Sequence, residues 1–176
     1  MYKLIYYKLL KWKVVGEFPS DLSQYIVIAA PHTHWHDLHM GLLLRRVTDT
    51  KINFVAKKEL FTWPLGWFLK NIGGFALDRT PGQKSVDAYS EMFKKNKKFI
   101  LNIAPEGTRK KVTKWKTGFY YIAKKANVPI VMVAFDYENK QHIISKPFSV
   151  TDDVDKDFDY MYSFFKGIVG KIPEYS

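Results

Sequence analysis

At 176 residues, 47% of them hydrophobic, the chain can bury one sizeable core, and its length predicts a single domain over 1–176 with little room for a second. It has no cysteine, which excludes a disulfide framework, a thiol nucleophile and a thiolate metal site, and suits a reducing compartment. Its 28 Lys and Arg against 17 Asp and Glu give a formal charge of +11, which favours encounters with polyanions such as anionic membrane, nucleic acid or phosphorylated small molecules.

No run of about 18 apolar residues occurs. Lys3, Lys8, Lys11 and Lys13 interrupt the opening segment, so it reads as neither a transmembrane helix nor a signal peptide. Residues 1–18 are instead a candidate membrane-surface segment. From Met1 to Trp12 the lysines Lys3, Lys8 and Lys11 share one side of a helical wheel among Tyr, Leu and Ile. A terminal helix packed on the domain fits the same pattern. Trp12, Val14 and Val15 then have β character, and a strand there is expected to pair beside residues 25–30 after the turn at Pro19-Ser20-Asp21.

Tyr25-Ile-Val-Ile-Ala-Ala30 reads as a buried strand that stops at Pro31 and runs into His32-Thr-His-Trp-His-Asp37. With Thr33 as helix N-cap, His32 and Asp37 take the two positions that meet in a hydrophobic staple, here as an imidazole against a carboxylate. A carboxylate that accepts from one ring nitrogen fixes the tautomer and leaves the other nitrogen free to take a proton, the arrangement a general base needs.

Residues 34–46 read as a largely apolar helix, and Asn53 to Ala56 as a short strand. Lys58 to Ile72 is divided by Pro64 and Gly66 into two helical pieces whose many large aromatics suit either the core or the wall of an apolar groove. Gly73 to Arg79 turns into a brief strand that ends at Arg79, and Thr80-Pro81-Gly-Gln83 supplies a helix cap. That helix carries Val86, Tyr89 and Phe93 on one stripe and closes on Lys94 to Lys98. Residues 99–104 form the next strand, which leads into Pro105-Glu106-Gly107-Thr108-Arg109. The C-terminal end of a buried strand is where open α/β sheets place ligands, and Arg79 and Arg109 could share one anionic group there. A helix capped by Thr117, a strand over 130–135, a short strand near His142 and a last helix with Phe158, Met161 and Phe165 inward complete the pattern. Alternating strands and helices predict an α/β fold with a mixed, largely parallel sheet flanked by helices.

Four blocks in order, His32-x4-Asp37, Gly73 to Arg79, Pro105 to Arg109 and Val128-Pro129-Ile130, resemble the glycerophospholipid acyltransferase family, whose best-known members act on lysophosphatidate. The likeness covers residues 25–136 and implies a glycerol-3-phosphate acyltransferase-like fold. It implies acyl transfer from acyl-CoA or acyl carrier protein to a hydroxyl of a lysophospholipid such as 1-acylglycerol-3-phosphate. In these terms His32 is the base and Asp37 its orienting partner. Arg79, Glu106, Gly107, Thr108 and Arg109 bind the acceptor, and Val128 and Pro129 serve the acyl donor. The resemblance implies no cofactor beyond the thioester co-substrate. It also implies a peripheral, cytoplasmic protein on the inner face of an anionic membrane, with acyl carrier protein a further candidate partner. Two other readings compete. His32, His34 and His36 are spaced somewhat like zinc ligands of a metal-dependent hydrolase, although few other imidazoles remain to complete a site. The basic clusters would also suit a nucleic-acid-binding module, but no recognised nucleic-acid motif accompanies them, and nucleic acid is not expected as a partner.

Overall fold

The computed structural model describes residues 1–77 and 83–176. Seven strands form one sheet: β1 (Lys13–Val15), β2 (Gln24–Ala30), β3 (Ile52–Lys57), β4 (Gly74–Leu77), β5 (Phe99–Ile103), β6 (Ile130–Asp136) and β7 (Gln141–Ile144). Their spatial order is β1-β7-β6-β2-β5-β3-β4, parallel throughout except for the β6–β7 hairpin. The central strand β2 is flanked by β5 and β6, and its Ile, Val and Ala run is the composition expected where both faces of a strand are covered.

Period-two alternation sorts these side chains onto two cores. Ile26 and Ile28 join Leu101, Ile130 and Met132 beneath α3 (Gln83–Lys95), α4 (Gly118–Ala126) and α5 (Val154–Phe165). Tyr25 and Val27 join Val131 and Val133 beneath α1 (His36–Val47) and the N-terminal segment. Buried Asp157 ties α5 down: it accepts from the Tyr120 hydroxyl at 2.9 Å and from the Thr151 N–H at 2.6 Å.

The mixed α/β architecture is the one expected, and two local expectations change. β1 pairs with β7 at the sheet edge, Lys13 opposite Gln141, and not with β2. Both edges of β2 are taken by longer, more deeply buried strands, whereas a three-residue strand with its outer residues exposed suits a sheet margin. Thr33 is not the N-cap of α1. The helix begins at His36, and residues 31–35 form a loop wrapped around the Asp37 carboxylate. The Thr80-Pro81 cap and Arg79 lie outside the described residues.

The segment expected as a terminal helix forms one π-helical stretch, Leu4–Leu9. Tyr6 plugs into the core while Leu4 and Leu9 stay exposed. The Tyr6 hydroxyl lies 2.5 Å from Nδ1 of His142, a buried imidazole that lack of hydration drives down to about 3. In residues 58–71 a 3₁₀ turn (Lys58–Phe61) and α2 (Leu65–Asn71) fold tightly together. A Cβ on Gly66 would lie 2.2 Å from the Phe61 carbonyl oxygen, so only glycine fits there. Among the described residues, no helix is long and apolar enough to cross a membrane.

Candidate active site

The chain leaves the C-terminal end of β2 at Ala30 and bends through Pro31 to His32. Asp37, in the first turn of α1, is 3% exposed, and four groups donate to it. Its Oδ2 accepts from His32 Nδ1 at 3.1 Å and from the backbone N–H groups of Thr33 and His34, each at 2.9 Å. Its Oδ1 accepts from the Tyr137 hydroxyl at 2.7 Å. Burial by itself would raise the Asp37 carboxyl, but the bonds from His32, His34 and Tyr137 together outweigh it and hold the group below the usual carboxylate range. The predicted pairing of His32 with Asp37 is therefore present, although through a loop and not a capped helix start. With Nδ1 facing the carboxylate, Nε2 of His32 is the nitrogen left to exchange a proton with a substrate.

A second carboxylate holds the same residue by its backbone. Glu106, in the loop after β5, accepts the His32 backbone N–H on Oε2 at 2.8 Å. It is nearly buried, and burial, together with the charge of Asp37, raises its carboxyl above the ordinary range despite that bond. Glu106 thus reaches the site through the His32 backbone. Gly107 has φ +65°, and a Cβ there would come within 2.8 Å of the Lys116 side chain, so this bend needs glycine. The Lys116 N–H closes the loop on the Pro105 carbonyl at 2.9 Å. Beyond the bend, Thr108 and Arg109 are exposed, and among the described residues Arg109 has no ion-pair partner.

His32, Asp37, Gly107, Thr108 and Arg109 all line one groove of about 1460 Å³. One apolar stretch of it lies beside α1, lined by Val27, Ala29, Phe54, Leu38 and Leu42, and another lies against α3 and α4, lined by Val86, Phe119 and Ile122. Because α1 runs back antiparallel to the strands, the groove passes from His32 past roughly two turns of helix, about 12 Å, to Arg45. The Arg45 guanidinium donates to the Ile72 carbonyl, and burial holds it below its usual range.

Val128 and Pro129 are not among the groove's lining residues. Val128 is buried in the core, and the Pro129 carbonyl accepts the Ile26 N–H at 2.9 Å, at the opposite end of β2 from His32. Ala30 lies four residue steps beyond Ile26, roughly 13 Å along the strand. Nor do the aromatics of residues 58–71 form core or groove wall as a group: Trp63 is 88% and Trp67 70% exposed, while Leu60 and Leu69 line the groove. The imidazoles of His34, His36 and His39 cluster around Trp35. Among the described residues no three His, Asp or Glu side chains converge as a metal-binding set. Sequence reasoning missed Tyr137 altogether, because it stands 100 positions from Asp37 and carries no motif around it.

Known proteins resemble this chain at several levels. A family profile described as Acyltransferase matches residues 11–136. The 1-acyl-sn-glycerol-3-phosphate acyltransferase of Saccharomyces cerevisiae is 34% identical over 147 residues, covering 78% of this chain and 46% of that protein. The protein of the same description from Streptococcus pneumoniae is 29% identical over 137 residues, covering 72% of this chain and 50% of that protein. The chain thus spans about half the length of the curated relatives it matches. The crystal structure of the 1-acyl-sn-glycerophosphate (LPA) acyltransferase PlsC from Thermotoga maritima shares the fold, with a TM-score of 0.63 at 24% identity over 91% of this chain and 72% of that one.

Proposed function

The chain belongs to the acyltransferase family, and from that premise we propose that it moves a fatty acyl group from a thioester donor, acyl-CoA or acyl carrier protein, to the hydroxyl of a lysophospholipid such as 1-acylglycerol-3-phosphate. The observation that carries this reading is the His32–Asp37 pair on a largely apolar groove that Arg109 also lines. His32 Nε2 takes the acceptor's hydroxyl proton as the oxygen attacks the thioester carbonyl. Asp37, kept ionised by its four donors, steadies the imidazolium that forms. Collapse of the tetrahedral intermediate breaks the C–S bond, and the imidazolium returns its proton to the departing thiolate. The new C–O bond thus replaces the C–S bond, and the base is regenerated.

The groove beside α1 suits the hydrocarbon of an acyl chain. Arg109, with Thr108 next to it and Arg79 as a further candidate, offers charge-assisted bonds to the acceptor's phosphate. Glu106 supports the site by holding the His32 backbone. An anionic membrane surface is the partner that fits the remaining features. Trp63 and Trp67 project from the segment that also exposes Lys58 and Lys70, a combination of amphipathic rings and cations suited to a charged lipid interface. On this reading the protein works peripherally, drawing its lysophospholipid from the surface on which it sits.

Incubating the purified chain with acyl-CoA and acyl-carrier-protein donors and lysophosphatidate, with products read by mass spectrometry, tests the reading. Ester formation is expected from the native chain, and His32→Ala should cost roughly 10²–10⁴ in rate while its melting temperature is retained. A His32→Ala protein that acylates at the native rate overturns the mechanism.

A further inference from the structure

We infer that Tyr137 is a positioning residue for catalysis, setting the orientation of the Asp37 carboxylate and through it the His32 imidazole. The inference rests on the His32–Asp37 reading above and extends the machinery to a residue outside every recognised motif. Its basis is how the donors divide between the two carboxylate oxygens. Oδ2 receives three of them, all from residues 32–34 of the same loop. Oδ1 receives one, the Tyr137 hydroxyl at 2.7 Å. All three donors on Oδ2 belong to the loop that carries His32, so they hold the carboxylate only relative to that loop and would move with it. The fourth bond ties the other oxygen to the end of β6, outside that loop, and so fixes the carboxylate against the sheet; a short hydroxyl bond to an ionised carboxylate is among the stronger kinds.

Tyr137 is itself held from several directions. It follows the last residue of β6, and its backbone N–H donates to the Val169 carbonyl at 2.9 Å. Its ring meets the buried Trp12 edge to face, with centroids 4.9 Å apart, and Lys171 Nζ lies 5.6 Å above it. The same C-terminal stretch pins the catalytic loop directly, because the Ile172 N–H donates to Thr33 Oγ1 at 3.1 Å. Burial and the neighbouring Asp37 charge push the Tyr137 phenol well above its ordinary value, so it stays protonated and acts as a donor. Tyr137 is not among the residues that line the groove, so it acts on turnover without holding substrate.

Tyr137→Phe removes the hydroxyl and keeps the ring against Trp12. The expected result is a fall in kcat of roughly tenfold with the KM of donor and acceptor unchanged. In an Asp37→Asn background the same substitution should cost nothing further, because its route to the chemistry has already been cut. The ¹⁵N signals of the His32 imidazole read the same link without turnover, and in Tyr137→Phe they should move away from the Nδ1–H tautomer. A native kcat and native imidazole signals in Tyr137→Phe overturn the inference. So does a change confined to KM, or a full tenfold loss that persists in the Asp37→Asn background. His32→Ala, run alongside, separates the two levels: if it is inactive while Tyr137→Phe is native, only the positioning role falls, and if it is fully active, the base-pair reading falls with it.

Discussion

The loops that leave β2 and β5 sit at the same edge of adjacent parallel strands, and each buries one carboxylate, yet they treat it in opposite ways. Asp37, the more deeply buried of the two, is held below the usual carboxylate range, whereas Glu106 is raised above it. The number of donors decides the outcome, not the depth. Four groups converge on Asp37, while Glu106 receives the His32 N–H and also faces the charge of Asp37. The two loops differ outwardly as well. Residues 31–37 spend their polar groups on one another, which suits a base that must not move. Residues 107–109 point cationic and hydroxyl groups outward, which suits a receptor for an anion.

Equivalent acid-to-amide substitutions should therefore have opposite consequences. The largest effect is expected for Asp37→Asn, which removes the charge beside His32 and should lower kcat by roughly 10²–10⁴. The variant should also lose stability near neutral pH. A carboxyl depressed in the folded state stabilises the fold above its unfolded value, about 3.9, and that contribution disappears as the pH falls through the depressed folded value. The stability gap from the native chain should thus close in acid, as melting curves over a pH series would reveal. A native kcat in this variant would break the comparison.

An intermediate effect is expected at the outward end of the second loop. Arg109→Ala should raise the KM of the phosphorylated acceptor about tenfold and leave kcat little changed, because a charge-assisted contact common to ground and transition states is lost. Steady-state kinetics with the acceptor varied decide this, and an unchanged KM would remove the anion-receptor role. The smallest effect is expected for Glu106→Gln. A carboxyl raised in the folded state makes the fold lose stability as the pH climbs from about 4.3, the unfolded value, through the raised folded value. Gln does not titrate, and its amide oxygen can still accept the His32 N–H. The variant should melt about 2 °C higher than the native chain at pH 7, with the gap closing towards pH 4. A lower melting temperature at pH 7 would mean that the Glu106 charge, and not its shape, holds the loop.

Much of this arrangement was legible in the order of residues, and the parts that were not share a cause. The apolar run into Pro31, the His32-x4-Asp37 spacing and the polar loop Pro105 to Arg109 after a buried strand are features of a few neighbouring positions, where periodicity and turn chemistry operate. Even there the mechanism of the His32–Asp37 contact changed. The Thr33 N–H joins the donors to Asp37 and its hydroxyl binds the C-terminal stretch, so the expected cap gives way to a loop closed by a carboxylate. The pairing of β1 fell beyond reach because a strand's partner depends on which edges other strands have already filled.

Composition and local spacing were enough to establish an α/β chain with a histidine, an acid and an arginine-bearing loop at strand ends, because burial patterns and near-neighbour contacts are written in adjacent residues. Only the folded chain decided that Glu106 grips the His32 backbone, that the Tyr137 hydroxyl donates to the Asp37 carboxylate, that Trp12 packs on Tyr137, and that the C-terminal stretch bonds Thr33. Those contacts join positions far apart along the chain, and they exist only once strand order has brought the ends of β2, β5 and β6 to the same edge of the sheet.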